Sequence, residues 1–316
     1  MRAHDSVVYV GDMLAFCFRS FSVEADVARG LLNYVPEEEE EHDASKQEEK
    51  EDVTLAEEEP DLAMEKPITG VEMLAQSMGG VSRPLKARVL HVISSLSRRN
   101  DEDDESDDGM DVEEEGASTR KKLSQLYEIC GLLLFYASAV GKTTSKLEAG
   151  EVASVDEAAE RNPLLSVMLE CLEEASNAFE ASLRVYCAML EHLHAVTGDS
   201  EASLARSMVS QIVEVRKASP GFATDVECPA AVGQTLSLNW VCDTIIEAAL
   251  PACKSLDDTV LLRRSVAAAK EADLSSEVGA ALETKLQERE TGLIDVLVEE
   301  ETSDVLELCG LGPLVS

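Results

Sequence analysis

The chain has 316 residues, of which 45% are hydrophobic but only 4% aromatic. This is enough apolar material for one large folded unit or two smaller ones. A formal net charge of −36 offers no basic footprint, so binding to nucleic acid or to anionic lipid by charge alone is not expected. Ala, Leu, Val and Glu dominate while typical strand residues are scarce, and this composition predicts an all-α fold.

The negative charge is concentrated in two short blocks. Between Pro36 and Lys66 there are 15 acids and 3 bases, and between Asn100 and Gly116 there are 11 acids and no base. Like charges repel and the apolar content is low, so we expect disordered acidic insertions at residues 36–66 and 100–118. The remaining chain is only moderately acidic.

The cysteines and the apolar runs indicate a reduced, cytosolic setting. Eight cysteines occur without a CxxC pair. Cys171 and Cys187 fall in one predicted helix, about 24 Å apart at 1.5 Å per residue, whereas a disulfide requires Cα atoms within roughly 7 Å.

The start of the chain does not have the pattern of a secretory leader. The most apolar run, Ile129 to Val140, has about twelve residues against the roughly 20 of a membrane span. Any membrane association is therefore expected to be peripheral.

Short helices are predicted in the first third of the chain. Residues 1–35 are predicted to form a helical pair, with Ser22 capping the second helix and Pro36 closing it. Residues 67–99 are also predicted to form two helices. The first opens at the capping-box pattern Thr69 to Glu72, and the second starts at Ser82 and Pro84, after Gly79-Gly80.

Residues 119–316 are predicted to form a helical bundle. A helix capped by Thr119 or Ser118 is apolar nearly all round in its second half, so neighbours must cover it on several sides. A linker from Val140 to Ser154 follows it. Asn162-Pro163 then suits the start of a helix of about 35 residues, roughly 50 Å long. The apolar stripe of that helix is Leu165, Met168, Leu172, Ala175, Phe179, Leu183, Tyr186, Leu190 and Leu193.

Amphipathic helices continue to the end of the chain. They are expected at about 199–217, 230–250, 256–272 and 275–300, separated by turn signals such as Ser219-Pro220-Gly221. The whole pattern predicts an elongated stack of antiparallel amphipathic helices, a helical-bundle rod.

Two patterns imitate chemical sites. Gly141-Lys142-Thr143 resembles the end of a phosphate-binding loop, but the required earlier glycine is Tyr136, and a helix rather than a strand precedes it. A glycine at a helix C-terminus is the simpler reading. Cys187, Glu191 and His194 share one helical face, yet a single helix rarely supplies a complete zinc site. No catalytic arrangement can be assembled. We therefore expect no enzyme activity, metal or cofactor.

Three segments resemble subunit six of the conserved oligomeric Golgi complex. The first is His4-Asp5 followed by Tyr9 to Phe16, similar to the family's HDPxRYVGDMLAW region. The second is Arg83 to Val89, similar to RPLKxR, and the third is Leu126 to Tyr136, similar to LYxIxxLLxFY. The candidate structural or interaction residues carried by the resemblance are His4, Asp5, Tyr9, Val10, Gly11, Asp12, Met13, Leu14, Arg83, Pro84, Leu85, Lys86, Leu133, Phe135 and Tyr136.

The resemblance implies a subunit of a vesicle-tethering complex on the cytosolic face of the Golgi membrane. It implies intra-Golgi retrograde transport, peripheral membrane association through partners, and contacts with other subunits of the complex, SNAREs and Rab GTPases. It further implies that the chain corresponds to the middle-to-C-terminal part of that family, without the N-terminal coiled-coil portion that joins the subunits and without the family's C-terminal end.

Two other functions remain open at this point. The acidic tracts are also typical of chaperones that bind histones or other basic proteins. A nucleotide-dependent enzyme built on Gly141-Lys142-Thr143 is the third hypothesis. Salt-sensitive histone binding would favour the former, and a thermal shift on addition of nucleotide would favour the latter.

Overall fold

The computed structural model describes residues 5–32, 70–98, 112–147, 159–223 and 230–309, excluding the side chains of residues 112–116. Within these ranges every regular element is a helix and no strand occurs, which confirms the all-α prediction. Both predicted acidic insertions lie largely outside the described residues. The α-helices are α1 Ser6–Leu32, α2 Gly70–Ser97, α3 Val112–Ser145, α4 Pro163–Ala188, α5 Leu190–Thr197, α6 Glu201–Ala218, α7 Ala230–Thr235, α8 Leu238–Ala249, α9 Leu256–Lys270 and α10 Ser276–Leu308.

Helices α1 and α3 run side by side in the same direction. The Gln125 amide donates to Asp5 Oδ1 at 3.1 Å, and further along both helices the Phe18 and Tyr136 rings lie 5.9 Å apart. The two helices therefore advance together. A parallel neighbour was not expected, because the sequence predicted an antiparallel stack.

The first four helices do reverse direction from one to the next. Lys122 Nζ of α3 donates to the Arg98 carbonyl at the end of α2, at 3.3 Å. At the other end of α3, the Asn162 side chain that begins α4 donates to Thr144 Oγ1 at 2.8 Å. The first four helices therefore run up, down, up and down. Their order around the bundle is α1, α2, α4, α3, so α2 and α4 are a second parallel pair.

The later helices extend this bundle. Helix α6 packs between α3 and α9, α8 lies against α4 and α6, and α9 pairs with α10. Near the reversal, the Lys270 and Glu283 side chains pair at 2.5 Å, which shows that α9 and α10 are antiparallel. A single continuous hydrophobic core joins α1 through α10.

The α1 and α2 regions each form one helix, so the prediction of two helices in each was wrong. Ser22 lies inside α1 and donates to the Phe18 carbonyl instead of capping a new helix. Helix α2 continues through Gly79-Gly80 and includes Pro84. Both Gly80 and Pro84 are exposed, so the carbonyl that loses its donor at the proline remains open to water. An unbroken buried stripe from Val71 to Leu96 outweighs the local helix-breaking residues.

Helix α3 is longer than predicted at both ends. It begins at Val112, inside the stretch predicted to be disordered up to residue 118, because glutamate is a good helix former even in an acidic block. It also continues to Ser145, so the predicted linker cannot begin at Val140. The prediction that its apolar half needs covering on several sides is confirmed, since α1, α4, α6 and the 3-10 helix Pro220–Ala223 all pack on it.

The predicted 35-residue helix starts as expected but is interrupted. Asn162 caps α4, accepting from the backbone N–H groups of Leu164 and Leu165 at 3.0 and 3.3 Å. All nine residues of the predicted apolar stripe are buried. Met189 separates α4 from α5 with φ −92° and ψ −1°, and its N–H also reaches the Tyr186 carbonyl at 3.1 Å. The predicted helix from 230 to 250 is likewise split, with Ser237 capping α8.

A polar cluster around the buried Tyr127 ties the first four helices to the later ones. The Tyr127 hydroxyl on α3 donates to the Leu236 carbonyl at 3.0 Å, and Arg216 on α6 donates to the same hydroxyl at 3.1 Å. Arg216 also pairs with Asp273 at 2.9 Å. The Tyr127 ring stacks on Phe222 with centroids 4.5 Å apart. Residues from four separate parts of the chain thus converge on one tyrosine.

Two glycines allow the 3-10 helix Pro220–Ala223 to touch α3. A Cβ on Gly221 would lie 1.7 Å from the Gly131 carbonyl oxygen, and a Cβ on Gly131 would meet the Ser219 hydroxyl at 2.4 Å. The first clash is with backbone, so no side-chain movement can relieve it. Glycine at 221 is required by close approach and not by an unusual φ.

Candidate interaction surface

A groove lies between α1 and α2. It encloses about 510 Å³. Its lining is mainly apolar, and it carries one charge of each sign, Asp12 from α1 and Arg88 from α2. The full lining is Tyr9, Asp12, Met13, Phe16, Cys17, Gly80, Val81, Pro84, Leu85 and Arg88.

The groove exists because α1 has apolar residues on two faces. Its inner face is buried against α2 and α3 and includes Val10, Leu14 and Phe21, each 0% exposed. Its outer face leaves a second stripe in solvent, because α2 and α3 are the only described helices that pack closely against it. Along that stripe Tyr9 is 38%, Phe16 68%, Val23 57%, Val27 52% and Leu31 57% exposed. Spacings of seven and four residues place them along one side of the helix.

The residues predicted from the first resembling segment divide between core and groove. Tyr9, Asp12 and Met13 line the groove, whereas Val10 and Leu14 are buried. A Cβ on Gly11 would make ordinary contact with Leu132 of α3, at 3.6 Å. Asp5 accepts from the Val7 N–H at 3.1 Å as well as from Gln125. His4 lies outside the described residues.

The second segment has the same division on α2. Pro84 and Leu85 line the groove, and Arg83 is exposed close by in the helix. Lys86 instead pairs with Glu170 of α4, where the side-chain hydrogen bond raises the lysine pKa and lowers the glutamate pKa. That pair is more than 40% exposed on both sides, so it fixes the orientation of α2 on α4 more than it stabilises the fold.

The third segment belongs to the bundle and not to the groove. Leu133 is 1% exposed, and Tyr136 packs against Phe18, on the inner side of α1. Burial raises the pKa of Tyr136. Phe135 is 36% exposed and makes an edge contact with Tyr136 at 5.1 Å.

The prediction omitted five groove residues, which are Phe16, Cys17, Gly80, Val81 and Arg88. Phe16 was detectable, because the heptad spacing of Tyr9, Phe16 and Val23 marks a second apolar side on α1. Val81 and Arg88 carry no such signal, since their place in the groove depends on how α2 is rotated against α1. That rotation is a tertiary property.

The two patterns that imitated chemical sites do not form them. Gly141, Lys142 and Thr143 are all within α3, with Thr143 donating to the Ala139 carbonyl at 2.8 Å, so no loop is present to hold a phosphate. Gly141 is also not the predicted C-terminal glycine, because the helix runs past it. The break at Met189 separates Cys187 from Glu191 and His194. Among the described residues, no group of three His, Cys, Asp or Glu side chains could hold a metal ion.

The buried thiols have the properties of core residues. Burial raises the pKa of Cys171, Cys187 and Cys242 to about 12 and that of Cys253 to about 11. A thiol with such a raised pKa is a poor nucleophile and a poor metal ligand near neutral pH. Cys309 is exposed at the end of α10.

Among the described residues, two helices have the length and apolar character that a membrane span requires. They are Ser6–Leu31 and Ala117–Ser145, with 28% and 61% of the tested window buried in the protein. For the second, the bundle accounts for the apolar composition, because it is the central helix α3. For the first, much of the apolar surface is the exposed side of α1 described above.

The family model described as Conserved Oligomeric Golgi complex subunit 6, C-terminal, matches residues 1–316, the whole sequence. The chain belongs to this family. Membership confirms the resemblance and associates the chain with the Golgi apparatus, with vesicle tethering and transport, and with the other subunits of the complex. In this family the subunit is a structural component of the tether. No curated protein and no solved structure matches the chain.

Proposed function

We propose that the chain works in retrograde vesicle transport within the Golgi, as a tethering subunit held peripherally on the cytosolic face of the membrane. SNAREs and Rab GTPases are proposed as further partners, beside the other subunits. The observation that carries the proposal is the family match over the whole chain. A helical bundle suits the role, because helix faces offer extended docking surfaces to other helices.

We further propose that the α1–α2 groove and the outer stripe of α1 form one partner-binding surface. The exposed apolar side chains extend from Tyr9 to Leu31, about 33 Å at 1.5 Å per residue. A contiguous apolar strip of that length is more than scattered surface residues produce. Tyr9, Asp12, Met13, Pro84 and Leu85 are the predicted candidates that line it. Aromatic residues such as Tyr9 and Phe16 are the side chains most enriched at binding hot spots.

The function is tested by purifying the tagged chain from cells and identifying the proteins that accompany it. A matched variant replaces residues 37–59 and 101–111 with neutral Gly-Ser linkers of equal length. The other subunits of the complex are expected with both chains, because helix faces and not the acidic tracts make the contacts. If the native chain retains the subunits and the variant does not, the acidic tracts and not the helix faces make the contacts.

The acidic chaperone remains a second candidate, because the two blocks carry −23 of the −36 formal charge. It predicts that histones bind the native chain in a salt-sensitive manner and do not bind the variant with the Gly-Ser linkers. Histones without Golgi subunits in the native purification would contradict the tethering function.

A further inference from the structure

The C-terminal half of α10 projects from the bundle. The last hydrogen bonds from α10 to the rest of the described chain are the Arg263–Glu290 pair at 2.6 Å and the donation from Arg289 to the Cys253 carbonyl at 2.6 Å. From 291 to 308 every described residue is exposed except Leu293 and Leu306, which are half-buried. These 18 residues extend the helix by about 27 Å.

The projecting half has an apolar side that nothing in the described chain covers. At 100° per residue, six aliphatic side chains fall within an arc of about 140°. They are Leu293, Ile294, Leu297, Val298, Val305 and Leu308. Ile294 is 44% exposed, Leu297 48%, Val298 59%, Val305 54% and Leu308 87%.

A helix of this length is marginal by itself in water, since most helical stability comes from packing of an apolar face. The buried residues of α10 are Gly279, Leu282 and Leu286, all in its first third. Tertiary contacts within the chain therefore hold only the beginning of the helix. The second half has an apolar stripe like that of a packed helix, but no described helix packs against it.

The charge on this half has one sign. It contains six carboxylates and no lysine, arginine or histidine. The carboxylates are Asp295, Glu299, Glu300, Glu301, Asp304 and Glu307. At 100° per residue, Glu301 and Asp304 lie within the apolar arc, and Glu300 and Glu307 lie just outside one of its edges. Asp295 lies beyond the other edge, and Glu299 lies on the opposite side of the helix.

The negative charge of residues 291–308 indicates which kind of partner can cover their apolar side. A second copy of this half would bring carboxylates against carboxylates, and an anionic membrane surface would repel it in the same way. A helix with an apolar stripe flanked by lysine and arginine would bury the aliphatic side chains and pair the acids. In helix pairs, flanking charges of this kind set the choice of partner.

We propose that residues 291–308 of α10 are the docking site for a basic amphipathic helix in another subunit of the tethering complex. This inference rests on the proposed function, because the partner is a subunit of the same complex. Glu301, within the apolar arc, pairs with a basic residue at the edge of the partner's stripe.

The test compares variants of the full chain co-expressed with the other subunits of the complex. Ile294→Asp with Leu297→Asp places two charges in the apolar arc. The matched control, Val196→Asp with Val260→Asp, changes two surface aliphatics on the bundle that are 37% and 38% exposed. We expect the α10 variant to retain at least one subunit about tenfold less well than the native chain, and the control to retain all of them.

Circular dichroism and size-exclusion chromatography of the isolated variants separate docking from folding. The four substituted side chains are exposed, so both variants should keep the helix content and elution volume of the native chain. Full retention of all subunits by a folded α10 variant overturns the inference and leaves the proposed function intact. If the native chain retains no subunit, the proposed function is contradicted. The docking proposal then also fails, because its partner is one of those subunits.

Zero-length carbodiimide cross-linking of the native assembly identifies what lies against α10. It joins carboxylates directly to lysine amines, so Glu300 or Glu307, at the edge of the apolar arc, should be linked to lysines on one helix of another subunit. Cross-links to a second copy of this chain, or to no subunit, would contradict the proposed docking site. The substitutions Glu300→Gln and Glu307→Gln should remove these links and weaken retention more at low salt than at high salt.

Discussion

Tyr127 is the residue on which most separate parts of the chain converge. It is fully buried, its ring contacts Phe179 and Phe222, and its hydroxyl both donates to Leu236 and accepts from Arg216. Burial raises its pKa to about 12, although the nearby Arg216 acts in the opposite direction. The hydroxyl therefore stays neutral and keeps donating at any physiological pH.

Removal of this hydroxyl should destabilise the fold. Tyr127→Phe keeps the ring contacts but deletes both hydrogen bonds, and the expected loss is about 1–2 kcal/mol in the free energy of unfolding, since Arg216 still bonds the Leu236 carbonyl. Urea unfolding followed by circular dichroism measures it. Tyr9→Phe, at a site 38% exposed, is the control and should change the stability by less than about 0.5 kcal/mol. Equal midpoints for native and Tyr127→Phe chains would show that the cluster contributes nothing.

At the residue scale, sequence reasoning succeeded where the signal is local. Asn162 was predicted as a cap because asparagine before proline has one structural meaning at a helix start. Arg216 was not predicted at all. Its partners Tyr127 and Asp273 are 89 and 57 residues away, and no spacing rule connects them.

At the scale of single helices, the main error was to divide α1 and α2. Ser22, Gly79-Gly80 and Pro84 are local break signals, and each was interpreted as a boundary. The buried stripe on each helix continues through these positions, and packing decides the outcome. Conversely, α4 was expected to be continuous and is interrupted at Met189, a residue with no local break signal.

Helix α1 should bind partners through its outer stripe. Phe16→Asp puts a charge on the most exposed aromatic of the groove, 68% exposed, and should reduce recovery of at least one partner about tenfold. Val8→Asp is the matched control, because Val8 is on the same helix and 53% exposed but does not line the groove. Both chains should have native thermal stability. Equal recovery with the two variants would exclude the groove as a binding surface.

At the scale of the whole molecule, the core contains several buried or half-buried thiols. A thiol whose pKa is higher in the folded than in the unfolded chain stabilises fully below the unfolded value near 8.5. This stabilisation is lost as the pH rises through the folded values, about 11 for Cys253 and about 12 for Cys171, Cys187 and Cys242. The fold should therefore weaken in mild alkali.

Between pH 8.5 and 10 we expect the free energy of unfolding to fall by about 1 kcal/mol per pH unit for each of these four thiols, up to a limit of 1.4. Urea titrations under reducing conditions at several pH values measure the slope. Cys242→Ala should reduce the change in unfolding free energy per pH unit by the contribution of one thiol. Cys309→Ala, at an exposed position, should leave it unchanged. A slope that none of the buried cysteines affects would contradict this assignment.

The fold class was predictable because it depends on composition and stripe periodicity, which every helix here obeys. The order of helices around the bundle was not. Long connections between α1, α2 and α3 permit several neighbour orders, and the observed one makes α1 parallel to α3. The groove follows from that order, since it leaves α1 at the edge.

The reversal between α1 and α2 has an electrical consequence. The first acidic block follows Leu32 and precedes Gly70, at one end of these helices, and the second follows Ser97, at the other. A 27-residue helix separates the two points of attachment by roughly 40 Å, several times the screening distance of about 8 Å in physiological salt. The two attachment points are therefore too far apart in physiological salt for a charge at one to act on a charge at the other.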